Sequence, residues 1–372
     1  MKDTPDRPPL TIGSPASMLA AIPYLLGFHP TRSLVVIGAR PPRDRVHVSF
    51  RYDLLDPPET GYASEIARHA AAVLVNQQVT VAIVAGYGPG ALVTPVAEQF
   101  RRHLTDAGLE LREMLRVEDG RYWSYLCQDP GCCPAEGVPF DVSASPVAAQ
   151  MTLAGNVTLP DRATLAKTVA PVRGAVRLSM QEATMLAERR AAAMVAAATR
   201  SGRKGPEIIR PLIDDGLRAV SDAIAAYRRG KQITSRDEFA WLSITLADLR
   251  VRDDAWARMD PEYADAHQRL WTDVVCRAEP PYVPAPASLL AFTAWQSGNG
   301  ALANIAIARA LESDPGYTMA LLLADAVAGG LPPSAARLPM TPEEVAASYA
   351  DTSTGEPADN TEPARRADPG SA

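Results

Sequence analysis

A chain of 372 residues that is 47% hydrophobic can bury a real core and is long enough for two domains. Its net charge of −6 argues against a general nucleic-acid binder, whose affinity would come from neutralising phosphates. There is no run of about 18 apolar residues, and the polar, proline-rich stretch from Met1 to Pro9 lacks the basic and apolar segments of a signal peptide, so no membrane partner is expected and the cytoplasm is the expected compartment.

The first ordered element begins at Ser14, a good N-cap, followed by Pro15 at a position that suits proline, and it places Met18, Leu19 and Ile22 on one face. Pro23 is expected to bend or end this helix. Gly27-Phe28-His29-Pro30 reads as a rigid turn, because glycine tolerates positive φ and a residue before proline is pushed out of the α region. A buried strand at Leu34 to Ile37 and an alternating strand at Val46 to Phe50 form an expected antiparallel pair. Helical spacing follows in Glu65 to Gln77, then a β-branched run from Val79 to Ala85 that reads as a central strand. Leu92, Val96, Phe100 and Leu104 mark a second amphipathic helix, and strands at Glu110 to Val117 and Arg121 to Leu126 flank the turn Glu118-Asp119-Gly120.

Three features of this part carry possible chemistry. Gly86-Tyr87-Gly88-Pro89-Gly90 sits at a strand-to-helix junction, where a phosphate cradle would be, but it has neither G-x-G-x-x-G nor G-K-[ST], and Pro89 removes an N–H donor; an ordinary connector is expected. His29 can be a base or ligand with Arg32, Arg121 or Arg162 holding an anion, or it can simply cap its turn. Cys127, Cys132 and Cys133 have C-x4-C-C spacing. Zinc, a redox pair and plain structural thiols are all open readings. Adjacent Cys132 and Cys133 are expected to point apart and the fourth cysteine, Cys276, lies far away, so structural thiols packed beside Trp123 and Tyr125 are expected, with no metal and no cofactor. No Ser-His-Asp order, paired carboxylates or H-E-x-x-H points to catalytic residues.

The segment Ser14-Pro-Ala-Ser-Met-Leu-Ala-Ala-Ile-Pro-Tyr-Leu-Leu-Gly-Phe-His-Pro-Thr-Arg-Ser-Leu-Val-Val, together with Asp119-Gly-Arg-Tyr-Trp-Ser-Tyr-Leu-Cys127 and Cys132-Cys-Pro-Ala-Glu-Gly137, resembles a large actinobacterial family of unknown function whose members open with S-P-x-x-L-L-A-A-x-P-Y-L-L-G-F-H-P-x-x-S-L-V-V. The resemblance covers roughly residues 10 to 330 and implies no activity, cofactor or substrate.

Val147 to Gly155 and Pro160 to Leu165 read as short helices, and from Val176 only helical patterns remain: Met180 to Thr199, Pro211 to Tyr227, Asp237 to Leu249 and Ala255 to Ala278. Ser288 to Gly298, Ala301 to Glu312 and Asp314-Pro315 resemble a tetratricopeptide repeat, with Leu290, Ala291, Gly298, Ala303, Ile307, Ala310 and Pro315 at its packing positions. Three aromatic positions of that repeat are Ala287, Ala294 and Gly300 here. Thr318 to Ala328 reads as the first helix of a following unit. From Gly329 onward three Arg and seven Asp or Glu give −4 among Pro, Ala and Thr, so a disordered acidic tail is expected, with room for a short helix at Pro342 to Tyr349.

The sequence therefore predicts an α+β chain: a disordered start at 1–9, a mixed-sheet α/β domain at 10–172, an all-α, tetratricopeptide-like domain at 173–330 and a tail at 331–372. The expected function is protein interaction or regulation, with the helical domain docking a protein or peptide partner; Phe292 and Trp295 are candidates to line its groove, with core packing the expected role for most such residues. The alternative is a small-molecule-binding protein or enzyme whose pocket uses Phe28, His29, Arg32, Arg121, Trp123 and Arg162.

Overall fold

The computed structural model describes residues 14–40, 45–155, 157–333 and 340–352. Helix α1, Pro15–Leu26, starts as its sequence dictates: the Ser14 hydroxyl accepts the Ser17 N–H at 3.2 Å, and Gly27 closes it at φ 80°. Pro23 lies inside α1 and does not end it. Proline removes one helical hydrogen bond, but Leu19, Ile22 and Leu26 on either side of it are all buried, and this packing holds the last turn.

Six strands make one mixed sheet in the order β2-β1-β3-β4-β5-β6. They are β1 Ser33–Arg40, β2 Arg45–Asp53, β3 Val81–Tyr87, β4 Glu110–Glu118, β5 Arg121–Ser124 and β6 Val138–Pro139. Only β3 and β4 are parallel, and the helix α3, Gly90–Asp106, makes the crossover they require, while α2, Thr60–Asn76, links β2 to β3. Asp119 and Gly120, at φ 47° and 70°, form the two-residue turn between β4 and β5. The strands β1 and β3 read as unbroken apolar runs because both faces of the sheet are covered there. Leu34, Val36, Val84 and Met114 pack with Leu74, Val93 and Phe100 of α2 and α3. The alternate residues Val35, Ile37, Ile83 and Leu115 belong to a second core with Met18 and Ile22 of α1.

That second core continues without a break into the helices. These are α4 Pro146–Leu153, α5 Arg162–Lys167, α6 Gly174–Arg200, α7 Arg210–Arg228, α8 Arg236–Thr245, α9 Leu249–Ala257, α10 Ala264–Arg277, α11 Pro284–Gln296, α12 Gly300–Ser313, α13 Thr318–Ala328 and α14 Pro342–Thr352. The helix expected from Ala255 to Ala278 is two helices, because Met259-Asp260-Pro261 breaks it and the Asp260 carboxylate accepts the Glu262 N–H at 3.0 Å. The one expected to reach Leu249 stops at Thr245, since Asp248 caps the next helix by accepting the Arg250 N–H at 2.9 Å.

Two sets of contacts tie the helices to the strand-bearing part. Around α5, the Val172 N–H donates to the Cys276 carbonyl at 2.8 Å and Cys276 Sγ donates to the Thr168 carbonyl at 3.2 Å. At the far end of α13, His69 Nε2 donates to the Ala328 carbonyl at 2.6 Å and Gln77 Nε2 donates to the Gly330 carbonyl. Part of the expected tail is ordered: α14 lies against α9, with Val345 buried and the Tyr349 hydroxyl donating to Asp253 at 2.7 Å. Its first turn has a capping box, the Thr341 hydroxyl taking the Glu344 N–H and Glu344 taking the Thr341 N–H. The rest of the expected tail, and the expected disordered start, lie outside the described residues.

Candidate functional site

Most of the residues named as pocket candidates in the strand-bearing part are engaged locally. Phe28 is buried, and its neighbours are stitched to the 158–159 segment: the His29 N–H donates to the Leu159 carbonyl at 3.0 Å and the Leu159 N–H to the Gly27 carbonyl at 2.8 Å. The exposed His29 ring reaches only Thr158, at 3.4 Å. Arg32 pairs with Asp56 at 2.8 Å on the open surface, where such a pair is worth about 0–1 kcal/mol. Arg162 is exposed on the first turn of α5, just after the Asp161 cap. Among the described residues, no hydrogen bond or ion pair joins His29 to Arg32, Arg121 or Arg162.

The glycines of the 86–90 turn serve packing. A Cβ on Gly86 would lie 2.2 Å from Val93 Cγ1, and one on Gly90 3.0 Å from Arg116 Nη1. Arg116 fills the start of α3, bonded to Glu118 at 2.8 Å, while the Gly88 N–H donates to the Val117 carbonyl at 2.9 Å. The Gly88 N–H is thus taken up by protein.

Arg121 and Trp123 belong to a different construction, the loop from β5 to β6. Arg121 donates to the carbonyls of Glu136 and Gly137 at 3.3 and 2.8 Å, and Trp123 Nε1 to that of Ala135 at 2.9 Å. The Trp123 ring carries the Arg116 guanidinium 3.6 Å from its centroid, and Gly137, at φ 81°, lies so close that a Cβ would be 2.5 Å from the indole. At the loop's beginning the Ser124 hydroxyl accepts the N–H groups of Leu126 and Cys127. At its tip the Asp129 carbonyl accepts those of Cys132 and Cys133 at 3.1 and 2.7 Å, and its carboxylate accepts that of Gly131 at 2.9 Å. This double bond to Asp129 overturns one expectation: Cys132 and Cys133 do not point apart, and the sulfurs of Cys127, Cys132 and Cys133 all lie within 4.8 Å of one another. Nor are they buried packing groups, since Cys132 is exposed and the other two are half-buried. The Cys127 thiol is held below its ordinary value, first by a hydrogen bond from Cys133 and next by the Asp129 main-chain N–H, whereas Cys133, the donor in the first of these bonds, is pushed up to about 12.

The two aromatic residues named for partner binding do come together. Phe292 and Trp295 pack edge-to-face at 6.3 Å, and Trp256 of α9 meets Phe292 at 5.2 Å. With Arg252, Met319, Leu322 and Leu323 they line an apolar pocket of about 220 Å³ between α9, α11 and α13. Phe292 and Trp295 are themselves 5% and 6% exposed, so they form the floor, and Leu322, at 64%, stands at the mouth. Arg252 at the rim is already matched, donating to Asp253 at 2.6 Å and to the Tyr317 hydroxyl at 3.3 Å. The sequence reading missed Trp256 and Arg252. Their i, i+4 spacing was the available signal, hidden because the expected helices ended at Leu249 and resumed at Ala255, leaving 250–254 in neither. A second cavity, about 470 Å³, lies between α7, the 258–261 turn and Pro342, where Asp254 holds Arg258 through both carboxylate oxygens at 2.6 and 3.0 Å. No helix among the described residues is long and apolar enough to cross a membrane.

Over residues 15–334 the chain matches the family described as Domain of unknown function (DUF4192), and it belongs to that family. No curated protein and no solved structure matches it.

Proposed function

We propose that the protein is a cytoplasmic interaction module whose helical part docks a partner protein by seating one large apolar side chain between α9, α11 and α13. The observation that carries this reading is the pocket floored by Phe292 and Trp295. Its volume of about 220 Å³ suits a single bulky side chain, whereas pockets for whole metabolites run from roughly 300 to 1,000 Å³. Its position supports the same use, since α11 is the first helix of the repeat-like pair α11–α12 and α13 follows where the first helix of a next unit would stand, the elements that line the groove of such arrays. Buried aromatic groups beneath an exposed leucine have the character of an interface hot spot, where one anchor supplies much of the affinity. The chain's negative charge supports a protein partner over a nucleic acid.

A photo-cross-linking residue at position 322, with exposed Arg189 of α6 as the control position, tests the proposal in cells. The protein captured at 322 alone is purified and its affinity measured against wild-type and Leu322→Asp chains. A loss of at least about tenfold is expected on placing a charge at the rim. Equal capture at both positions, or an affinity indifferent to Leu322→Asp, overturns the reading.

A further inference from the structure

The loop between β5 and β6 carries three sulfur atoms, all within 4.8 Å of one another, and nothing in the packing of the protein calls for them there. A buried thiol acts as a small apolar group, but Cys132 is exposed and Cys127 and Cys133 are half-buried. The backbone that presents them is fixed independently of the sulfurs. Ser124 and Asp129 hold the amides of the loop, and Arg121 and Trp123 hold the carbonyls of its return. The three side chains therefore converge because the main chain aims them.

We propose that Cys127, Cys132 and Cys133 form a zinc site in which three thiolates bind the ion and solvent occupies the fourth position. Thiolates favour zinc among the common divalent ions, and a Zn–S bond of about 2.3 Å places tetrahedral sulfurs about 3.8 Å apart, so a contraction of about 1 Å or less completes the site. As each Zn–S bond forms, any proton on that sulfur passes to solvent, and no electrons are transferred. Neighbouring cysteines converge here, and a zinc site does not require four protein ligands. Three ligands with an open position is the arrangement of zinc sites that admit a further group.

The test uses the full chain, purified without a histidine tag, reduced with a phosphine, exposed to zinc and dialysed before elemental analysis. About one zinc per chain is expected, and cobalt in its place should give an intense near-ultraviolet thiolate-to-metal band. Competition with a chromophoric chelator should show zinc binding weakened at least about tenfold by Cys127→Ser and by Cys132→Ser, with Cys276→Ser unchanged. Cys132 is exposed, so Cys132→Ser keeps the fold, which circular dichroism verifies. Less than about a tenth of an equivalent in the reduced protein overturns the proposal, as does uptake indifferent to Cys132→Ser. Preference for copper(I) over zinc overturns the choice of ion, and a reduced chain that binds no zinc but reoxidises to a disulfide between Cys127 and Cys133 assigns the loop to redox chemistry instead.

Discussion

Gly86 is where the two readings of the glycine-rich turn part, and Gly86→Ala separates them. The added methyl would lie 2.2 Å from Val93 Cγ1, whereas carbon atoms in contact stay about 3.5–4.0 Å apart, so one of them must move by more than about 1 Å. Val93 is fully buried on α3 and, being β-branched on a helix, has one strongly preferred rotamer. Overpacking of this kind costs about 1–3 kcal/mol, and the lower chain entropy of alanine in the unfolded state offsets about 0.5–1 kcal/mol of it, which leaves a net loss of about 0–2.5 kcal/mol. Val93→Ala alone should cost about 2 kcal/mol through lost burial and a cavity. In the double variant the methyl at 86 enters the space left by Val93, so the pair should be more stable than the sum of the singles by about 1–2 kcal/mol. Urea unfolding followed by circular dichroism measures all four corners of the cycle. Additivity within about 0.5 kcal/mol would refute the claim that this glycine exists for helix-strand approach.

Ending the chain at residue 339 removes α14, and with it the buried Val345 and the bond from Tyr349 to Asp253, so a loss of about 1–3 kcal/mol is expected in urea unfolding. Tyr349→Phe should show about 1 kcal/mol of this; if neither change moves the midpoint, α14 contributes no docking energy. His267 is buried, and its pKa is lowered to about 4 by that burial and by the neighbouring Arg228, against a partial opposing effect of Asp260. A neutral histidine is thus favoured in the fold, so its contribution is complete above about pH 6.5 and is lost as pH falls towards 4, by about 3 kcal/mol in all. His267→Gln should flatten the difference in stability between pH 7 and pH 4.5, and an unchanged slope would place the acid sensitivity elsewhere.

Where local and tertiary signals agree, the chain is readable from its residues. Leu92, Val96, Phe100 and Leu104 have helical spacing and all four are buried in α3, and the pairing of β1 with β2 is the one their patterns require. Local signals fail where packing outweighs them, as at Pro23, or where a cap is mistaken for an interior residue, as at Asp248. The two-residue strand β6 has no pattern to detect; it exists because Arg121 and Trp123 draw the chain back. Of the site residues, Phe292 and Trp295 were legible because the repeat-like spacing names its own groove. The sulfur cluster was not, because its convergence depends on a single carbonyl, that of Asp129, accepting two consecutive N–H groups. Composition has no bearing on where a carbonyl points.

One helix has both ends committed. The first half of α13 walls the pocket with Met319 and Leu322, and the turn beyond its last residue hangs from α2 through main-chain oxygens of Ala328 and Gly330. Those bonds read no side chain, but Gly330 is confined to φ 64° and presses on Val73, where a Cβ would lie 2.5 Å from Cγ1, so the attachment point tolerates little slip. The helix that carries both is 11 residues long, a rod of about 16 Å. The anchored end is in turn tied to the sheet, because His69 accepts the Tyr52 hydroxyl of β2 on its other ring nitrogen, so pocket wall, helix and sheet form one continuous line of support.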